Sequence, residues 1–212
     1  MRYPTNRPWI LLLVLAALVG GCASRSQGEK MVQSYAKTTE TVAESRKQVA
    51  LTMTSLTSLR VTRPDDLKSA FRRYKDAVGK LEKEGADARW RATSMKEESE
   101  THIKAWQEEM KTIKDPTIKS TLDSRRQAVR TNFTLIQMYA EDARKAYGPF
   151  LQGNKDVVQA LSIDLSPAAL SSLSSSIDRV TADGKALDQR LWMMQRALDN
   201  IASGVSPLGD LK

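Results

Sequence analysis

The chain has 212 residues, with 33 Lys and Arg against 25 Asp and Glu, a single histidine and a single cysteine. One cysteine excludes an internal disulfide or a thiolate metal cluster, and one histidine excludes a histidine-pair zinc motif. Aromatic residues make up only 6% of a heavily charged chain, a composition that suits long amphipathic helices.

At the start of the chain, Arg2 and Arg7 precede an apolar run over 10–19, followed by Val19-Gly20-Gly21-Cys22. A basic start, an apolar stretch too short to span a bilayer and small residues before a cut predict a signal peptide over 1–21. The cysteine at its end makes the pattern that of a bacterial lipoprotein. In such proteins the cysteine thiol is diacylated, the preceding segment is removed and the new amino terminus is usually acylated. Several chains give stable attachment, because each buried methylene contributes about 0.8 kcal/mol and one chain alone binds marginally. Cys22 is therefore the expected lipidation site. Removal of 1–21, which carries Arg2 and Arg7, leaves 191 residues with 31 basic and 25 acidic side chains. Residues 22–29 read as a flexible linker.

Residues 30–203 carry four stripes of apolar or small residues in alternating steps of three and four, the spacing that holds one face of a helix. The first runs Met31, Tyr35, Thr38, Val42, Ser45, Val49, Thr52, Leu56, Leu59. Thr and Ser alternate along it, so it is thin and admits close approach. The second runs Leu67, Phe71, Tyr74, Val78, Leu81, Gly85, Ala88, Ala92, Met95, then through Trp106 and Ile113 with an ambiguous register over 99–103. Gly85, Ala88 and Ala92 give it a slim waist. The third follows Ile118, Leu122, Val129, Phe133, Ile136, Ala140, Ala143, Tyr147 and Phe150, and continues past Pro149 towards Leu161, with a kink expected at the proline. The fourth is the most regular: Leu170, Leu173, Ile177, Val180, Gly184, Leu187, Leu191, Met194, Leu198, Ile201.

The boundaries agree with these stripes. Asp115-Pro116 and Ser166-Pro167 each place a capping side chain before a proline at the first helical position, and Thr62-Arg63-Pro64-Asp65 resembles them. Gly204, with Pro207 beyond, closes the last helix, and 204–212 reads as a flexible tail. The fold expected is all-α: an elongated antiparallel bundle, or coiled coil, of about four long helices in up-down-up-down order. At about 1.5 Å per residue, the second helix would measure about 70 Å and the first about 50 Å. Helices two and three should then project as a two-helix tip, at the same end as the lipid and the C-terminus.

The run Ala105-Trp106-Gln107-Glu108-Glu109-Met110, the stretch 125–139, Ala143 with Gly148-Pro149-Phe150-Leu151, and Ala168-Ala169-Leu170-Ser171-Ser172-Leu173 resemble a family of uncharacterised envelope lipoproteins, domain of unknown function 2959. The likeness covers most of the chain after Cys22. Its motifs are helix-packing positions, so the resemblance implies a lipid-anchored coiled coil and supplies no catalytic residue.

No catalytic, metal or cofactor constellation emerges. His102 falls on or beside the second stripe and reads as a satisfied interface histidine. Asp65 and Asp66 lie in a first helical turn, where acids complement the helix dipole. Glu97, Glu98 and Glu100 point to different faces of one helix and cannot converge on a cation. Ser171 to Ser176 lies within a helix. Of Trp90, Trp106 and Trp192, the last two read as core or flank packing, and Trp90 as the most exposed candidate for stacking.

Charge concentrates at the second turn: Lys111, Lys114, Lys119, Arg125, Arg126 and Arg130 against Asp115 and Asp123. An exported location disfavours nucleic acid. The six cations are instead candidates for contact with anionic lipid headgroups, lipopolysaccharide or peptidoglycan carboxylates, set against the plain reading of a solvated basic turn.

The function expected is a non-enzymatic envelope lipoprotein: a helical spacer, adaptor or docking surface for envelope proteins, tethered at the periplasmic face of a membrane. Ala23 and Ser24 follow the cysteine with no aspartate, which by resemblance to sorted lipoproteins favours the outer membrane. The alternative is a peptidoglycan tether through the terminal Lys212, similar in outline to the major murein lipoprotein. Slender stripes can be buried within one chain or between chains, so the oligomeric state stays open.

Overall fold

Among the described residues the four apolar stripes become five helices, the fourth stripe being shared by two. The computed structural model describes residues 20–204, with side-chain surroundings over 29–201. Residues 1–19 of the expected signal peptide, the side chain of Cys22, the tail from 205 and Lys212 lie outside the described residues. Helix α1 spans Gly20–Leu59, α2 Leu67–Met110, α3 Pro116–Ile163, α4 Pro167–Ser172 and α5 Ser174–Gly204, with a 3-10 turn at Pro64–Asp66 before α2. No strand occurs among the described residues.

The four long helices form an antiparallel ring in which α1 packs on α2 and α5, and α3 packs on the same two, so α1 and α3 face each other diagonally. All nine residues of the first stripe are buried, from Met31 at 1% exposure to Leu59 at 0%. Polar contacts carry the thin seam with α2. Gln48 Nε2 donates to the Ala77 carbonyl at 2.9 Å, and the Ser99 hydroxyl donates to Tyr35 OH at 3.1 Å. Burial makes such bonds matter, since an unpaired polar group there costs about 1–3 kcal/mol. Ser99 and His102 also settle the ambiguous register: both are buried, between Met95 and Met110.

Between α2 and α3, Tyr74 and Asn154 are fully buried, and the Tyr74 hydroxyl donates to Asn154 Oδ1 at 2.9 Å. Asn154 Nδ2 in turn donates to the Phe150 carbonyl at 2.7 Å. Burial pushes the Tyr74 phenol far up, so it stays protonated as a donor. Helix α3 continues through Pro149 without interruption to Ile163. Gly184 on α5 marks a close approach, because a Cβ there would come within 2.6 Å of Met53 Sδ and 2.7 Å of the Phe150 ring.

Two caps match their sequence patterns. The Asp115 carboxylate accepts from the backbone N–H of Thr117 at 2.8 Å and Ile118 at 3.0 Å, and Ser166 Oγ accepts from Ala169 N–H at 3.1 Å. The third does not. Arg63 precedes the 3-10 turn without a side-chain cap, and the Thr62 hydroxyl turns back to the Ser58 carbonyl at 2.7 Å.

Several expectations need correction. The fourth stripe is split: α4 ends at Ser172, and Leu173 takes φ −87° and ψ 1° before α5 begins. Ile118, expected in the third seam, is 53% exposed. Helix α1 begins at Gly20, so helical backbone runs through 22–29, where the sequence predicts a linker, and its 40 residues make it about 60 Å long rather than about 50 Å. Eleven residues along each helix from the Tyr35–Ser99 pair, Ser24 on α1 comes level with Met110, the last residue of α2, by antiparallel register. Helix α5, by contrast, ends while α3 still has its first turns to run, since its residues near 200 lie beside Asn132. The end of the rod is therefore built from α1, α2 and α3, not from α2 and α3 alone. Ile118 is exposed because no α5 residue reaches it.

Candidate functional site

Two places on the rod combine exposure with unusual side chains: the basic turn and a groove midway along the bundle. At the turn, Lys111 pairs with Glu108 at 2.6 Å and Arg126 with Asp123 at 2.7 Å. The Arg126 guanidinium, with help from the Gln127 amide, holds the Asp123 carboxyl below the usual carboxylate range. Lys114, Lys119, Arg125 and Arg130 are exposed and make no ion pair among the described residues. Helical spacing puts Lys119, Arg126 and Arg130 along one flank of α3 and Arg125 on the other. The six cations thus share one end of the rod without converging on one point, a geometry for a broad anionic surface rather than for a single bound anion.

The groove lies between α2 and α3 and has a volume of about 460 Å³. Its walls are slim: Ala88 and Ala92 on α2 and Ala140 on α3 occupy seam positions yet are only partly buried. Its floor is the buried apolar face of the outer pair, Val49 from α1 with Leu187 and Met194 from α5. Tyr147 closes one end. Its hydroxyl donates to the Leu81 carbonyl at 3.2 Å, and a Cβ on Gly85 would collide with its ring, so the glycine admits the tyrosine. Arg89 lies 5.9 Å from the Tyr147 ring centre. Two polar atoms in the groove lining, Ser45 Oγ and Gln137 Nε2, are buried without a hydrogen-bond partner.

The remaining sequence candidates separate clearly. His102 is 8% exposed and meets the Trp106 ring at 5.7 Å between centres, as an interface residue should. It is not fully satisfied, however, because Nδ1 has no partner. Burial pushes its imidazole pKa down, partly offset by Glu109, so the ring is neutral at pH 7. Trp90 is 60% exposed and stacks only on Arg91, while Trp192 is 42% exposed beneath Arg196. Glu97, Glu98 and Glu100 are all exposed, and no group of metal-ligating side chains occurs among the described residues. Asp65 and Asp66 sit in the 3-10 turn, in its first turn as acids. No helix among the described residues is long and apolar enough to cross a membrane.

Sequence reasoning singled out the slim waist of α2 but missed Ser45 and Gln137. The signal was available in part, since Ala140 and Ala143 place small residues on the third stripe as well. Two slim seams facing each other leave space that neither can fill.

These features define a long antiparallel helical bundle whose stripes serve packing. The chain belongs to the family described as Protein of unknown function (DUF2959), which matches residues 21–205. No curated protein and no solved structure matches it significantly.

Proposed function

We propose that the chain is a non-enzymatic lipoprotein of the bacterial envelope, held by acylated Cys22 to the periplasmic face of the outer membrane and serving as a helical spacer and docking surface. The observation that carries this reading is the placement of a long rod directly behind a lipobox. Helix α2 alone, at 44 residues, extends about 66 Å, enough to hold a surface well away from a bilayer. Along that rod, Leu135 and Met138 on α3 and Trp192 on α5 remain 40–48% exposed, a surface suited to another envelope protein. The three-helix end adds Lys114, Lys119, Arg125 and Arg130, exposed and in no ion pair among the described residues, near the start of α1.

Attraction to an anionic membrane is worth about 1 kcal/mol per basic residue near the surface and fades within a Debye length. Protein carrying Cys22→Ser is expected to bind anionic vesicles weakly, with binding lost between low and physiological salt. Changing Lys114, Lys119, Arg125 and Arg130 together to Gln should abolish what Arg126→Gln alone barely alters, because Arg126 is already engaged by Asp123. Equal vesicle sedimentation by the quadruple variant would reduce the cluster to a solubility feature.

The tether is tested in cells. Wild-type protein should fractionate with the outer membrane, and Cys22→Ser should appear as a longer precursor or leave that fraction. Unchanged processing and recovery of the serine variant in the outer membrane would defeat the proposal.

A further inference from the structure

The groove between α2 and α3 is apolar along its floor, yet Ser45 is only 7% exposed and its hydroxyl has no partner. Gln137, on the diagonally opposite helix, contributes a second buried and unpartnered group, its amide nitrogen. Buried polar groups in native proteins are almost always paired, so two unpaired ones against a single cavity call for a partner that the chain itself does not supply. A hydroxyl and an amide N–H₂ can both donate. The missing partner is therefore a hydrogen-bond acceptor on a molecule whose remainder is apolar.

Size and charge narrow it further. A cavity of about 460 Å³ falls within the range of small-molecule sites, about 300–1,000 Å³. Five charged residues border it. Arg144 is taken up by Glu141 at 2.7 Å, which leaves Arg89 and Lys96 against Glu84, an excess of positive charge at the rim. A cationic head is disfavoured there and an anionic one favoured.

We propose that this groove binds a single-chain fatty acid, its carboxyl oxygens accepting from Ser45 Oγ and Gln137 Nε2 and its alkyl chain lying against Val49, Leu187 and Met194. The slim waist then has a purpose: Ala88, Ala92 and Ala140 keep the space open that larger seam residues would close. Binding is independent of the lipid on Cys22, so it is measured on the full-length chain carrying Cys22→Ser.

The probe is dodecanoate below its micellar concentration, titrated by calorimetry, with circular dichroism melting of each variant alone. Saturable one-site binding is expected. Ser45→Ala and Gln137→Leu should each weaken it at least fivefold without lowering the melting temperature of the ligand-free protein, since each removes a buried group that lacks a partner. Ala92→Phe fills the groove and should abolish binding. Dodecyltrimethylammonium should bind at least fivefold more weakly than dodecanoate. The proposal is overturned if dodecanoate does not saturate, if Ser45→Ala and Gln137→Leu bind it as wild type does, or if the ammonium probe binds equally well. Should Ala92→Phe fail to fold, the two polar variants decide the matter alone.

Discussion

Phe150→Ala is expected to lower the unfolding free energy by about 3–5 kcal/mol, the usual cost of deleting a buried aromatic side chain. Phe150 is 0% exposed on α3 and reaches across the bundle to the close contact that Gly184 permits on α5. Its carbonyl also anchors Asn154, the polar group that receives Tyr74 from α2. Three helices meet around this one ring. Removing it leaves a void facing Gly184, which has no side chain to fill it and whose other close neighbour is the Met53 side chain. Urea unfolding monitored by circular dichroism gives the value directly. A loss below about 1 kcal/mol would mean that α3 and α5 are not packed as described, since only a site that collapses freely escapes the cavity cost.

Leu198→Ala should cost more than Leu187→Ala, although both leucines hold equivalent positions on the same stripe and are 0% and 1% exposed. Deletion of a buried leucine costs about 2–5 kcal/mol, and the spread reflects how much void is left. Leu187 already borders the groove, so part of its surface faces empty space and contributes few contacts to lose. Leu198 is fully buried and does not border the groove. The expected order is therefore Leu198 near the upper end of that range and Leu187 near the lower end. Equal losses at the two positions would indicate that the groove is closed in solution.

Much of this architecture is legible in the spacing of side chains. The stripe from Leu170 to Ile201 is buried almost without exception because steps of three and four repeat without a fault. The same arithmetic reads the first stripe correctly even though Thr38, Ser45 and Thr52 are polar, since position and not polarity decides which face meets α2. What spacing does not carry is the partner of each polar group. Gln48 lies off the stripe, yet it is buried because its amide reaches the Ala77 carbonyl, a pairing that depends on the separation of two helices. The break at Leu173 is hidden for a similar reason. The pattern of apolar residues continues across it, and only the backbone turns.

The functional features divide along the same line. The pattern that motivates the proposed lipid anchor is local, ending at Cys22, and so is the charge around Asp115. The corrected composition of the rod end required the register of α1 against α2, a long-range quantity. The groove required more: Ser45 and Gln137 are 92 residues apart in the chain. They become related only when α1 and α3 face each other across the slim seams of α2 and α3.

The central claim is that a lipid on Cys22 holds this bundle at a membrane, and the most direct measurement is mass spectrometry of the N-terminal peptide from protein purified out of its native membrane. Residues 1–21 are expected to be absent, and the peptide to begin at Cys22 with a diacylglyceryl group on sulfur. An N-terminal peptide that retains residues 1–21, or one that begins elsewhere with an unmodified Cys22, would contradict it.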